Sequence, residues 1–358
     1  MTGISNWASR REIERDIFWA SEYVFADYSW LTLDDRIYYA LFTIRPVYYP
    51  IVAVVAIPVN VLTIKVLSRG KCGLSSSVTS YLVAMAASDL MVVVLDLVLR
   101  QIPIVYREQF RFLFEVHVCN IHAVLLHVAI DCSVWFTVTF TLDRFVSICC
   151  QKLRTNYCTD RTVVVALGSV TVLSCSKNVF WYFIFTGEYR QLSIAWFCRA
   201  RDGVLLSPVW IVIELLHYLL TPGIPFCLIL LLNVLTARHV LVTSRARRRL
   251  RVSSTGYKIR DPEMESRRKS LVLLLAISGN FILLWGVYMI YNIWGRMYDV
   301  GYKSLYPPDS LNQLGFMLQL LSCCTNTALY SVTQRKFREQ LKETMKFPFT
   351  VLANFLPR

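Results

Sequence analysis

Charge is what this chain has least of. Asp, Glu, Lys and Arg make up 17% of its 358 residues, against about 25% in an ordinary soluble domain, and that shortfall excludes a water-covered globule of this length. Also missing are an Asn-x-Ser/Thr acceptor, an internal repeat and any low-complexity tract. Without repeated halves carrying Gly- or Pro-broken helices at matching positions, a transporter is disfavoured. Without an HExxH or paired-aspartate motif, so is a membrane enzyme. Nothing ahead of Tyr39 joins a basic head to an apolar centre, the mark of a cleaved signal peptide, so the first hydrophobic stretch is expected to act as its own insertion signal. No cysteine follows Cys324, which leaves the tail without an obvious acylation site.

What the chain does have is apolar length. Hydrophobic residues are 55% of the sequence and the mean hydropathy is +0.46. Runs of about 20 apolar residues, enough for a helix to cross a bilayer, fall roughly at Pro46–Leu67, Ser77–Leu99, Val116–Cys149, Thr162–Phe185, Pro208–Leu235, Leu271–Trp294 and Leu311–Tyr330. These predict an all-α membrane protein, a seven-transmembrane helix bundle. After Tyr330, Phe337, Leu341 and Met345 recur every fourth residue among lysines and arginines, the pattern of a short amphipathic helix on the inner membrane surface.

Basic residues set the orientation. Met1–Arg36 carries four basic and seven acidic residues, whereas Arg238–Lys269 carries eleven basic and three acidic. By the positive-inside rule the amino terminus lies outside and the carboxyl terminus inside, which needs an odd number of spans. The expected organisation is an extracellular segment over 1–42, a receptor-like membrane domain over 43–332 with an inner loop at about 238–269, and an amphipathic helix with a short cytoplasmic tail over 333–358. The net charge of +14 then reads as topology plus attraction to anionic inner-leaflet lipid, not nucleic-acid binding.

An ionisable side chain inside a span is costly unless paired or hydrated, so each is a functional candidate. Asp89, Asp96 and Arg100 share one face of the second span, seven and four residues apart. Asp96 and Arg100 either form an intrahelical ion pair or line a ligand cavity near the outer leaflet. Asp89 sits deeper, with Asn60, Ser133, Ser322 and Asn326 as candidate partners; carboxylate, hydroxyl and amide oxygens suit a sodium ion or a hydrated hydrogen-bond network. No other cofactor is expected.

His127 and Asp131 lie four apart on the third span, on a face about 100° round from His122, Leu126 and Ser133. Glu214 and His217 share a face of the fifth. Their spacing is not that of a metal site, so they are read as a buried polar network shaping a pocket. Phe281, Trp285, Tyr288 and Asn292 form a stripe on the sixth span and are read as a pocket wall, with Phe316 and Gln319 of the seventh added to the ligand-facing set. Cys119 and Cys198 are the cysteines expected at the oxidising outer surface, where they would tie the loop after the fourth span to the top of the third. The remaining cysteines, the Cys149-Cys150 and Cys323-Cys324 pairs included, are expected to fill space.

Taken together, seven spans, an outer amino terminus, the Cys119/Cys198 pair, Asp89, Asp143-Arg144-Phe145, Trp285 and Asn326-Thr327-Ala328-Leu329-Tyr330 resemble a rhodopsin-family G-protein-coupled receptor over about Tyr48 to Phe349. PVNVLTIKVLSR, SYLVAMAASDL and SVWFTVTFTLDRF, with no tryptophan midway along the fourth span, are similar to a small orphan subgroup of neural and endocrine receptors, some of which sense aromatic amino acids and small peptides. The resemblance implies a plasma-membrane receptor that binds an extracellular small aromatic or peptide-like ligand and activates a heterotrimeric G protein. A transporter, or a chemosensory receptor for another class of small molecule, remains the alternative. Arg144 would be held by Asp143 at rest and swing inward on activation, Asn233 and Tyr330 would stabilise the active state, and Trp285 would sense the ligand. The sodium site would be Asp89, Ser133 and Asn326, with Ser322 beside it.

Departures from the family pattern also carry meaning. Val287 and Thr327 stand where prolines usually bend the sixth and seventh spans. Arg267 stands where many members carry an acid that locks the Arg144 position, so appreciable basal signalling is expected. Leu126 stands where amine receptors carry an aspartate, which argues against a monoamine. For a ligand bearing both charges, Arg100 with Asp96 or His217 with Glu214 would be the anchor. Ser253, Ser254 and Thr255 beside arginines are candidate kinase sites.

Overall fold

The computed structural model describes residues 32–355 apart from 107, 190–197, 205–206, 255–261 and 303; side chains are also left undescribed at 114, 156, 246–254, 262–267, 269 and 347–355. The Arg267 expectation and the Ser253–Thr255 sites therefore lie outside the described residues. Seven long helices make the bundle: α1 (Leu33–Ser68), α2 (Ser76–Val105), α3 (Cys119–Cys149), α4 (Asp160–Ile184), α5 (Pro208–Arg245, its helix continuing to Ser254), α6 (Pro262–Asp299) and α7 (Asp309–Thr333). An eighth, α8 (Arg335–Phe355), follows.

Local chemistry starts these helices where the chain allows it. Thr32, Ser75 and Thr159 cap α1, α2 and α4, each accepting a hydrogen bond from the backbone three residues on, which satisfies an otherwise orphaned amide. Asp34 and Asp35 add negative charge to the first turn of α1. That helix begins at Leu33, within the segment expected over 1–42, so helical structure starts ahead of the apolar run. Hydropathy could not show this, because a helix that continues out of the bilayer carries polar residues. Gly70 and Gly73 take left-handed φ of 68° and 69° in the turn between α1 and α2, a conformation cheap only for glycine.

Six of the seven helices are long and apolar enough to cross a membrane by length and composition. Helix α7 is more polar, and its polar groups are met by its neighbours. Thr327 shares a hydroxyl contact of 2.6 Å with Thr63, the Cys323 carbonyl accepts from Asn60 at 2.8 Å, and Gln313 accepts from Arg45 at 3.2 Å. Against α6 the approach is close enough that a Cβ at Gly315 would lie 2.9 Å from the Tyr288 Cα. Both α6 and α7 run unbroken past Val287 and Thr327.

The core is built of separate clusters along the bundle. Tyr81, Leu82, Met85, Phe140, Leu274 and Tyr330 pack the cluster at the α8 end, where Phe337 of α8 joins them. Tyr49, Val92, Leu97, Leu126, Met317 and Leu320 pack another. Outward faces remain apolar, as at Val54, Val172, Leu173 and Leu283, the inverse of a soluble protein and the surface that lipid covers. Beyond α4, strands β1 (Phe185–Tyr189) and β2 (Cys198–Ala200) pair antiparallel. The Cys119–Cys198 disulfide, with Cα atoms 5.6 Å apart, pins that hairpin to the top of α3.

Candidate functional site

Polar side chains gather in the bundle interior at three depths. Near the disulfide end, α2 is wound with the wider π spacing from Val93 to Gln101, a form often found at functional positions. Asp96 and Arg100 sit on this stretch and are both buried. Arg100 Nε donates to Asp96 Oδ1 at 2.6 Å and Gln101 Nε2 donates to the same oxygen at 3.4 Å, while Asp96 Oδ2 has no hydrogen-bond partner among the described residues. The Arg100 guanidinium lies 5.4 Å over the Phe316 ring. Of the two readings open in the sequence, the intrahelical ion pair is the one the structure shows.

Aromatic rings continue from Phe316. Phe316 meets Tyr288 edge-on at 5.2 Å, Tyr288 meets Trp285 edge-on at 5.9 Å, and Trp285 stacks on Phe281 at 5.6 Å. Asn292 turns back to donate to the Tyr288 carbonyl at 2.7 Å. Gln319 of α7 is 1% exposed, with both amide atoms lacking a partner among the described residues. A buried amide left this way costs about 1–3 kcal/mol, a cost tolerated where a ligand or water completes the set.

On the α3–α5 side the histidines lie in an aromatic cluster. His127 stacks on Trp181 at 4.0 Å and meets His217 edge-on at 5.3 Å. His122 bonds elsewhere, to the Leu95 carbonyl at 2.7 Å and the Tyr189 hydroxyl at 3.4 Å. Leu126 lies in the apolar core with Tyr49 and Met317.

Two of the expected ligand contacts carry an ion-pair partner on a neighbouring helix. Asp131 is bound by Lys177 of α4 at 2.8 Å and by Asn178 at 2.6 Å, so it faces α4 and not the central cavity. Lys177 also donates to Thr221 Oγ1 at 3.2 Å, where Trp135 Nε1 donates at 3.1 Å; α3, α4 and α5 therefore meet at one hydroxyl. Glu214 pairs not with His217 but with Arg296 of α6 at 2.7 Å, which also holds Asp299 at 3.0 Å. In both cases a buried carboxylate takes the nearest cation on a neighbouring helix, as charge in a low-dielectric interior must. Lys177 and Arg296 were missed in the sequence. A lone lysine inside the fourth apolar run was a readable signal; Arg296 falls two residues beyond the expected end of the sixth.

Midway down, Asp89 accepts from Ser133 Oγ at 2.6 Å and from Asn326 Nδ2 at 2.7 Å. The other two expected partners turn away. Ser322 donates to the Gln319 carbonyl at 2.6 Å and accepts from Trp285 Nε1 at 3.0 Å, and Asn60 donates to the carbonyls of Ala56 and Cys323. Each of these donors sits on a helix that packs around α2, which is why the sequence could name the candidates but not choose among them.

At the other end, the Arg144 guanidinium binds the Asp143 carboxylate, with Nε at 3.0 Å. Tyr330 stacks edge-on against Phe337 at 5.9 Å, and neither its hydroxyl nor Asn233 Oδ1 has a hydrogen-bond partner among the described residues. Nothing in this constellation sets a nucleophile beside a base. Its polar groups fall in three local networks, and the family profile described as "7 transmembrane receptor (rhodopsin family)" matches residues 59–330, from α1 through Tyr330 of α7.

Proposed function

The chain belongs to the rhodopsin family of seven-transmembrane receptors, and from that premise we propose how its interior couples ligand to signal. Membership makes it a multi-pass plasma-membrane receptor, not an enzyme, that answers an extracellular ligand through a heterotrimeric G protein. Its amino terminus faces outside and its tail inside, as the basic inner loops require. The ligand is a small aromatic or peptide-like molecule held between Arg100 and Asp96 on one side and Tyr288, Phe316 and Trp285 on the other. His122, His127, His217, Asn292 and Glu214 shape the remaining wall. One observation carries this reading: the Arg100 guanidinium, paired with Asp96, lies over Phe316 at the head of a run of rings through Tyr288 to Trp285, while the buried Gln319 amide has no hydrogen-bond partner among the described residues.

Signal passes inward by differential affinity, since a ligand shifts a two-state equilibrium only as far as it prefers one state. Trp285 feels the ligand side of the cavity and is tied to Ser322 of α7. Four residues further along α7, Asn326 holds Asp89. The oxygens of Asp89, Ser133 and Asn326 suit a sodium ion that favours the resting state. Release of Arg144 from Asp143, with Asn233 and Tyr330 as its new partners, defines the signalling state. Similarity to the subgroup that senses aromatic amino acids and small peptides supports the ligand class.

Screening aromatic amino acids and short peptides for G-protein nucleotide exchange tests the reading. Arg100→Ala should lower the potency of any agonist found by at least tenfold at equal surface expression. Unchanged potency in both Arg100→Ala and His217→Ala would remove the anchor.

A further inference from the structure

The nine cysteines outside the disulfide are not equivalent. Cys72, Cys132 and Cys323 are buried in the core and fill space. Cys175 and Cys227 are exposed, but within the apolar lengths of α4 and α5; Cys227 lies 12 residues, or about 18 Å of helix, from His239 near the inner end of α5. Cys149 and Cys150 differ from all of these. They end α3, five and six residues past Arg144, and are partly exposed. Both open onto a groove of about 620 Å³ between the end of α3, the short helix Gln151–Tyr157 and α5, lined also by Lys152, Leu153, His239 and Thr243.

That groove has the chemistry of a membrane edge. Leu153 is 57% exposed at its rim and puts an apolar side chain beside the thiols. Lys152 places positive charge beside the thiols, where the anionic inner leaflet attracts it. Juxtamembrane cysteines of this kind are substrates for reversible S-acylation, and α8, which lies on the same surface, has no cysteine of its own. The remaining loop thiol, Cys158, is less suited. Burial, and next the nearby Asp143 carboxylate, push its thiol up from the usual range, away from the reactive thiolate.

We propose that the Cys149-Cys150 pair, open to the groove between α3 and α5, is a site of S-acylation whose fatty chain inserts in the bilayer and anchors the second inner loop there. The donor is a long-chain acyl-coenzyme A. The cysteine thiolate attacks the acyl carbonyl, a new thioester forms, the old one breaks, and coenzyme A leaves as the thiol carrying the displaced proton; nothing is oxidised or reduced. One chain alone gives only marginal membrane binding to a soluble protein, so its effect here is on the loop and not on retention of the receptor.

Labelling of receptor-expressing cells with an alkynyl palmitate decides it. Label on the wild-type receptor should be released by neutral hydroxylamine and should fall at least fivefold in the C149S/C150S double variant at matched surface expression. Should that variant fail to reach the surface, hydroxylamine-dependent peptide mass spectrometry of the wild-type receptor locates the thioester directly. A thioester on the peptide bearing Cys149 and Cys150 supports the site. A wild-type receptor without label, or label confined to another cysteine, overturns it. The proposal rests on the orientation above, and a membrane-impermeant maleimide tests that separately. Reaction of Cys150 in intact cells would place the pair outside and reject the orientation itself.

Discussion

At the residue scale, the side chains that matter most were visible one at a time and invisible as pairs. Asp131 stood out in the sequence because an acid in an apolar run is expensive, yet its partner is 46 residues away on α4. Periodicity along one helix cannot report that distance. The pair makes a sharp expectation. Lys177→Met should leave Asp131 buried without its cation and cost about 3–5 kcal/mol, read as a lower melting temperature of the detergent-solubilised receptor. The D131N/K177M double variant, which buries no charge, should recover most of the loss. Full destabilisation in the double variant would mean that the contact has no ion-pair character. Asp89 carries a second expectation at this scale. If its carboxylate holds sodium, the ion should slow basal nucleotide exchange in the wild type and leave Asp89→Asn unaffected.

Among the elements, helix identity was legible and helix length was not. All seven apolar runs became helices, but α1 begins at Leu33, ahead of the expected Pro46, and α6 extends from Pro262 to Asp299, beyond both expected ends. Hydropathy marks the bilayer and not the hydrogen-bond ladder, which continues into water wherever caps and propensity allow. The π-wound stretch of α2 left no trace in the sequence pattern, although it sets where Asp96 and Arg100 point. Helix α7 teaches the opposite lesson. It is more polar than the other six, and several of its polar groups are met by α1, α2 and α6. Its approach to α6 depends on Gly315. Gly315→Ala should force the two helices apart against the Tyr288 backbone, costing about 1–3 kcal/mol. Gly286→Ala on α6 meets nothing within 4 Å and should be neutral or stabilising by up to about 1 kcal/mol. Thermal melting of the two variants side by side checks the contrast; equal melting would show that Gly315 does not set the helix spacing.

For the whole molecule, the account is of one bundle whose buried polar groups fall in three local networks. The order of motifs along the sequence pointed to the family, and the family match over residues 59–330 establishes it. Partner choice within the networks needed coordinates, because Ser133, Ser322, Asn60 and Asn326 are chemically interchangeable until their helices are packed. At the inner end, only Asp143 holds Arg144 by hydrogen bonds among the described residues, and the sequence offers Arg267 where a locking acid would otherwise stand. With Asp143 as the arginine's hydrogen-bond partner on its own helix and no locking acid expected from the sixth, the expectation is that the signalling state is populated without ligand. The measurement that bears on this most directly is guanine-nucleotide exchange by purified heterotrimeric G protein on vesicles carrying the ligand-free receptor. The account predicts exchange faster than on receptor-free vesicles, returning to that baseline with Arg144→Ala; identical rates with and without the wild-type receptor would contradict it.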